Sequence, residues 1–418
     1  MSRPITIERP LTPGLLLVLG GLAALGALST NIILPSFPRI AADLGVATTE
    51  LGVTMSVFFL VFAFAQLLVG PLADRFGRRP VVLAGLTVFV AGSLLSAAAA
   101  DLATLTAGRA VQAAGVSAAS VLSRAIARDL FEGPALARAL SLTMVAMAAA
   151  PGFSPLLGGG LDALAGWRSA FGAVALAGTA VAILYARRVG ETHPADSRVA
   201  LDLAGILRGY AGLAADRRFI LPALAVGLLL GGLFGMFAAA PAILIEGLGL
   251  TTLQFGLFFA GSVFLVFAAG LIAPRLAARA GTATAALGGL ALALVGGGML
   301  LVLGAPSFPV FLAATSVFLF GMGLANPLGT ALALAPFGDR AGLASALLGF
   351  LQMGGAGIGV ALATGAGGDP AQALGAVQAG FGLAAVLVLG GSLRVPAGPV
   401  ATAIAGRSRL TRPDPVAK

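Results

Sequence analysis

Cysteine is absent from the 418 residues. Disulfides, thiolate metal centres and cysteine nucleophiles are thereby excluded. Histidine occurs once, as His193, with no Ser/His pairing near it and no cluster of ligand residues spaced for a metal. Charge is scarce as well: 10% of the residues are charged against 59% hydrophobic. A soluble domain of this length needs a far more polar surface. Lysine occurs once, so arginine supplies the basic charge, and with the Ala and Gly richness this resembles the usage of a GC-rich bacterial genome.

What remains is a series of long apolar runs. A helix needs ~20 mostly apolar residues to cross a bilayer, and hydrocarbon tolerates only helices or closed barrels. The runs lack the alternation of barrel strands, so they are read as helices. Six spans are expected near 13–35, 50–71, 81–99, 104–126, 137–159 and 167–187. Six more fall near 219–243, 253–273, 282–303, 308–330, 343–363 and 373–393. The first is too long for the apolar core of a signal peptide and is expected to stay as an anchor.

The net charge of +9 suggests nucleic acid until its distribution is examined. If the amino terminus faces the cytoplasm, all of the 25 Lys and Arg residues but Arg39, Arg168 and Arg109 fall in cytoplasmic loops or tails. Arg39 and Arg168 lie outside, and Arg109 lies within a span. This positive-inside bias places both termini in the cytoplasm. No nucleic-acid partner is implied; the partner is the lipid bilayer.

The longest polar segment, 190–218, separates the two sets of spans. It reads as a cytoplasmic linker with a short surface helix. It divides the chain into an N-terminal bundle (1–189), a C-terminal bundle (219–395) and a cytoplasmic tail (396–418). "GPLADRFGRR" at 70–79 aligns with "GLIAPRLAAR" at 270–279: Gly70, Ala73, Arg75 and Arg79 match Gly270, Ala273, Arg275 and Arg279. Both follow the second span of their half, which supports duplication. The second copy has Pro274 where Asp74 stands. Parallel six-span repeats with a substrate site between them are a transporter architecture.

"GPLADRFGRRP" (70–80) puts one acid and three arginines between two apolar runs. Gly70 is expected to permit close helix approach and Gly77 a tight turn. Asp74 is placed to meet a cation or the amino end of a helix, with Arg128 or Arg138 as expected partners. Arg75, Arg78 and Arg79 stay in water and orient the hairpin. The stretch resembles the loop motif of the major facilitator superfamily between its second and third helices. The resemblance implies an all-α membrane protein of twelve transmembrane helices in two pseudo-symmetric six-helix bundles. It also implies that the motif latches the cytoplasmic side and controls conformational switching.

Gln66, "RAIARDLF" after span four, "ETHP" after span six and "AGLASALLGFLQ" at 341–352 resemble the Bcr/CflA-type drug exporters, in the same order from about Leu25 to Leu393. Arg109 and Gln112, in "RAVQAAG", share a helix face and resemble a family pattern whose arginine is linked to proton transfer. "APGFSPLLGGG" (150–160) carries Pro151, Pro155, Gly158 and Gly159, and resembles the antiporter motif of drug-exporting members. Ala150 and Ser154 stand where that pattern has glycine. Without the resemblance, the same residues read as a kinked, closely packed helix. Gly227, Gly231 and Gly235 are read as helix contacts. Phe58, Phe62, Phe234, Met236, Phe237 and Phe258 are candidate cavity residues, against plain packing. Asn326 and Gln352 are intramembrane amides, by default bonding between helices.

"STNIILPSFPRI" resembles the subgroup's first-span pattern, but Asn31 occupies the position of its acid. A carboxylate can take and release a proton, and an amide cannot. No Asp or Glu lies well inside any span. Three readings stay open: coupling through a peripheral acid such as Asp43 or Asp129, a charge carried by the substrate, or proton-independent facilitation. An enzyme is disfavoured, since "GGAGIG" (354–359) lies within an apolar span where glycine means packing. The resemblance implies a monomeric inner-membrane exporter of small amphiphilic molecules, without cofactor, with the proton as coupling ion. Rival readings are a facilitator or metabolite transporter of the same fold, and a non-transporting membrane sensor.

Overall fold

The computed structural model describes residues 12–198 and 202–392; the expected tail, 396–418, lies outside them. No strand occurs among the described residues. In chain order the helices are α1 (Pro13–Asn31), α2 (Phe37–Leu44), α3 (Gly52–Phe76), α4 (Arg78–Ala97), α5 (Leu102–Leu130), α6 (Gly133–Ala165) and α7 (Arg168–Arg188). They continue as α8 (Leu203–Ala215), α9 (Arg217–Ala240), α10 (Thr252–Ala280), α11 (Thr282–Leu303), α12 (Phe308–Leu334), α13 (Ala341–Gly365) and α14 (Pro370–Ser392). Among the described residues, twelve spans are long and apolar enough to cross a membrane, matching the expected set.

Local chemistry sets their ends. Thr12 caps α1, with Pro13 at its first position, where a missing N–H costs nothing. Pro35 and Pro38 then break the regular ladder, and α1 passes through a 3₁₀ turn into α2. Asp101 caps α5, and Thr251 with Gln254 forms a capping box on α10. Many helices overrun the expected spans. The 33 residues of α6 extend ~50 Å at 1.5 Å per residue, past a hydrocarbon core of ~30 Å. Hydropathy reports only the part within hydrocarbon, and the polar end turns of these helices carry no such signal.

The packing is duplicated. In the first set, α4 packs on α5 and α7, α3 packs on α5, and α1 packs on α5, α6 and α7. In the second set, α11 packs on α12 and α14, α10 packs on α12, and α9 packs on α12, α13 and α14. Each first-set pair has its counterpart six spans later. The sets join mainly through α3 on α13 and α6 on α10, which also exchange under the same correspondence. The helix expected in the linker is α8. Its Leu213 is buried with Phe219, Phe337 and Leu347, while Tyr210 Oη donates to Leu67 O of α3 at 3.1 Å.

Between membrane helices there is little hydrophobic gain, so close contact must supply the association. The glycine row read as helix contact does this between α9 and α13. A Cβ on Gly227 or Gly231 would sit 2.7 Å from Leu351 O or Gly355 O, and one on Gly235 would sit 3.1 Å from Gly359 O. A Cβ on Gly359 would collide with Gly231 O. Gly359→Leu is therefore expected to destabilise the protein by about 2 kcal/mol or more. Gly288→Ala, where a Cβ meets nothing within 4 Å, should hold or raise stability. Thermal midpoints followed by size-exclusion fluorescence compare the two.

Candidate functional site

The turn between α3 and α4 marks one end of the bundle, called here the motif end. Gly70 to Phe76 are helical, as the last turns of α3, and only Gly77 leaves the helix, at φ 96°. That backbone favours glycine. A Cβ there would also strike Glu191. The expected turn is thus found at Gly77, whereas the close approach expected at Gly70 is not: a Cβ there meets nothing within 4 Å. In the second copy α10 runs on to Ala280, and the positive φ falls on Gly281.

Glu191, from the "ETHP" stretch, caps α4. Its carboxylate accepts from the backbone N–H of Arg78 at 2.8 Å and of Arg79 at 3.2 Å. It also accepts from Thr192 and His193 N–H, each at 3.0 Å, and pairs with Arg198 at 3.8 Å. An anion is well placed at a helix N-terminus. Partial burial pushes the Glu191 pKa up, but these backbone donors outweigh it and hold it below the ordinary glutamate value of 4.5.

Asp74 accepts from Arg78 Nη1 at 2.6 Å, and Arg78 Nε reaches Asp129 at 3.3 Å. Asp129 also accepts from Thr192 Oγ1 at 3.0 Å. The expected partners Arg128 and Arg138 are not brought to Asp74; Arg128 Nε donates to Arg124 O at 3.3 Å. The spacing Asp74–Arg78 is one helical turn once the motif is helix rather than loop, and this decides the pairing. Arg75 stacks at 5.4 Å on Phe76, and Arg79 reaches Ala186 O at 3.5 Å.

Inside the first set, α4 and α5 meet backbone to backbone at Gly85, Gly92, Gly108 and Gly115. That approach brings Ser93 to the polar face of α5. Arg109 and Gln112 are both fully buried. Arg109 Nη1 donates to Ser29 O at 3.0 Å and to Gln112 Oε1. Gln112 Nε2 donates to Ser93 Oγ, which donates to Phe89 O, each at 2.8 Å. The Phe58 ring lies 4.3 Å from the guanidinium carbon. Arg109 Nε and Nη2 have no partner.

The other candidates are scattered. Asn31 is buried on α1, its Nδ2 bonded to Ala27 O at 2.8 Å and its Oδ1 unpartnered. Gln66 packs against Gly349 of α13, with Nε2 unpartnered. Asn326 Oδ1 is also unpartnered, and Gln352 is half-buried on α13. Pro151 and Pro155 lie inside α6. On the same helix a Cβ on Gly158 would collide with Ile32 O, and one on Gly159 would make ordinary contact, 3.5 Å from Thr252.

The aromatic candidates form a chain rather than one cavity wall. Phe58 and Phe62 stack at 6.4 Å, and Phe59 meets Phe234 across the two sets at 4.4 Å. Phe234 touches Phe237, which touches Phe259 at 5.1 Å. Met236 is fully enclosed. Phe258 touches Phe259 at 5.4 Å and also faces away from that chain. With Leu257, Ser262, Phe308, Leu312 and Thr315 it lines a separate pocket of about 690 Å³ between α10 and α12. Period-3.6 spacing leaves the occupied face ambiguous, and α12 takes Phe258.

At the opposite, far end the two sets touch. The segments Leu34–Ser36, Phe37–Leu44 and Thr48–Leu51 pack on a π-helical turn, Pro241–Gly247, that ends α9. There Thr48 Oγ1 donates to Glu246. Ser56 Oγ reaches Gly357 O at 2.7 Å. The helices α6 and α10 engage at Gly152 with Val263 and at Gly256 with Leu156. Toward the motif end, Met144 and Val145 of α6 and Phe264 and Leu271 of α10 are exposed. The two cations expected outside are neutralised at the far end: Arg39 by Asp162 at 3.3 Å and Arg168 by Asp43 at 3.5 Å.

A sequence profile described as the Major Facilitator Superfamily matches residues 19–360. The chain belongs to the major facilitator superfamily. Among its relatives, an uncharacterised MFS-type transporter, YdgK, of Bacillus subtilis (strain 168) is 32% identical over 350 residues, 80% of this chain and 85% of that protein. Multidrug resistance protein D of Escherichia coli (strain K12) is 30% identical over 360 residues, 84% of this chain and 89% of that protein. The crystal structure of peptide transporter POT in complex with sulfate shares the fold, with a TM-score of 0.73 at 14% identity over 96% of this chain and 97% of that one. The protein is thus a multi-pass inner-membrane member of a transporter superfamily.

Several polar groups of this major facilitator protein were not singled out from sequence. Ser93 and Ser29 carry no signal beyond being small residues in apolar runs. Gln378 did carry one, as a lone amide in a span. It is buried, donates to Gly232 O at 3.3 Å and leaves Oε1 unpartnered. Glu191 lies in the "ETHP" stretch, but its capping of α4 follows only from the fold. Because its folded pKa is lowered, its contribution is complete above 4.5 and is lost as pH falls through the lowered value. The thermal midpoint of wild type is therefore expected to fall more steeply below about pH 4 than that of Glu191→Gln, measured across a pH series.

Proposed function

We propose that this protein exports small amphiphilic molecules by alternating access, in exchange for protons. The observation that carries the reading is the similarity to multidrug resistance protein D over 84% of the chain. The duplicated packing supports the mechanism. Two six-helix bundles, 1–189 and 219–395, rock about α3–α13 and α6–α10, with 190–218 as the linker between them. The charge bias supports both termini in the cytoplasm, so the motif end faces the cytoplasm and the far end the periplasm. Contact between bundles at the far end then supports a state open to the cytoplasm. The Asp74–Arg78–Asp129 cluster, with Glu191 on α4, acts as the cytoplasmic gate. The working unit is a monomer.

Asn31 favours a second reading, a facilitator without proton coupling. The peripheral acids considered as substitutes are both ion-paired at helix ends, Asp43 with Arg168 and Asp129 with Arg78. Proteoliposomes with an imposed pH gradient separate the readings. Amphenicols, bicyclomycin-like compounds and cationic dyes are added in turn. Export coupled to protons predicts substrate-dependent collapse of the gradient. Asp74→Asn should slow it about tenfold, about 1.4 kcal/mol on the barrier. Equilibration of labelled substrate with the gradient intact would establish the facilitator.

The far-end contact gives an independent check of the mechanism. The chain has no cysteine, so Thr48→Cys with Glu246→Cys introduces the only thiols. Joining them with a short thiol-specific cross-linker is expected to stop transport by at least tenfold, reversibly if the linker is cleavable. Transport that continues with the pair joined would contradict rocking about a closed far end.

A further inference from the structure

Arg109 is a fully buried cation without a counter-ion. It lies seven residues into α5, ~10 Å from that helix's far end at 1.5 Å per residue. An arginine in hydrocarbon costs at least ~2.5 kcal/mol on insertion scales and is normally paired or facing water. None of the described acids reaches it. Asp162 lies near the last turn of α6 and is bonded to Arg39. Asp74 and Asp129 lie in the last turns of α3 and α5 and share Arg78. Asp43 is held by Trp167 and Arg168, and Glu246 by Thr48. The other described acids stand at helix caps or in connections.

The guanidinium is also only half used. Nη1 is spent on Ser29 O and Gln112 Oε1, both neutral acceptors. Nε and Nη2 are free, and these two nitrogens form the side-on edge of the fork, with parallel N–H groups matched to an oxyanion. Phe58 covers a face of the group at 4.3 Å and leaves that edge unfilled. Buried donors left unpaired are costly and need a reason.

We propose that the Nε–Nη2 edge of Arg109 receives the oxyanion of an amphiphilic substrate (a carboxylate, sulfonate or phosphate ester), so that the transported class is anionic rather than cationic. The inference rests on the export reading and names its substrate class. Arg109 has no exposed surface in this conformation, so the anion reaches it only as the surrounding helices part. Ser29 O and Gln112 Oε1 hold the guanidinium by its other nitrogen, Gln112 being itself bonded to Ser93, and Phe58 supplies an apolar wall beside it. The substrate then brings the negative charge that Asn31 does not provide.

The test uses three fluorescent probes with one skeleton: pyrenebutyrate, pyrenebutanol and pyrenebutylamine. Each is titrated at pH 8 into the full-length protein in nanodiscs, with protein-free nanodiscs of the same lipid subtracted. Pyrenebutyrate is expected to bind at least tenfold more tightly than pyrenebutylamine. Arg109→Gln should remove that preference and leave pyrenebutanol unchanged. Arg109→Lys, which keeps a point charge without the fork, should keep the sign of the preference and reduce its size. If Arg109→Gln does not fold, wild type and Arg109→Lys decide alone. Equal binding of the amine and the carboxylate in wild type would overturn the proposal and leave export of amphiphiles standing. Loss of pyrenebutanol binding in Arg109→Gln to the same degree as pyrenebutyrate would also overturn it, since the residue would then be purely structural. Failure of all three probes to bind wild type would remove the export reading together with the proposal.

Discussion

Water is missing where most of this chain sits, and that one constraint orders the rest. Without water every backbone N–H and C=O must be satisfied within the segment, so the chain is helical from end to end of each span. The gain that drives soluble cores together is also missing, because lipid is as apolar as leucine. Cohesion therefore comes from contact distance. Glycines such as Gly92 and Gly115 on α4 and α5, and Gly227 and Gly359 on α9 and α13, face backbone of the neighbouring helix, so these pairs touch at their main chains. Such closeness also gives some buried polar residues their partners, as Ser93 does for Gln112.

The same constraint separates two kinds of charge in the molecule. At the ends of the helices acids and arginines are paired, capped and partly hydrated, and they define how one segment sits on the next. Glu191 fixes the start of α4 to the chain leaving α7, two helices that also pack on each other. Deep in α5 a single arginine is surrounded by neutral groups and one aromatic face. The first kind is architecture that water can pay back if broken. The second has no solvent to fall back on, so its unmet bonds point to function.

Much of this was legible in the sequence because hydropathy is the language of the bilayer. Twelve spans, a short helix between the sixth and seventh, and the turn at Gly77 all follow from run length, polarity and one glycine. The site was less legible, for three physical reasons. Helices continue beyond hydrocarbon, which turned a supposed loop into the end of α3 and changed Asp74's partner from Arg128 or Arg138 to Arg78. Spacing names a face but not the neighbour on it, so the contacts of Phe258 with both Phe259 on its own helix and Phe311 of α12 could be seen only in the fold. Small residues such as Ser29 announce nothing until a carbonyl is seen to accept a bond from across the bundle.

The helix α8 joins the two halves in a way that a flexible connection would not. It is seated among residues of α9 and α13, yet its Tyr210 hydroxyl is bonded to Leu67 O on α3. Any rotation of one half against the other pulls on that bond, at a radius set by the width of the bundle. The segment thus ties both halves at once, through an apolar seat on one and a hydrogen bond to the other. Breaking that bond forfeits only about 1 kcal/mol, so the tie is one that a rearrangement of the halves can release.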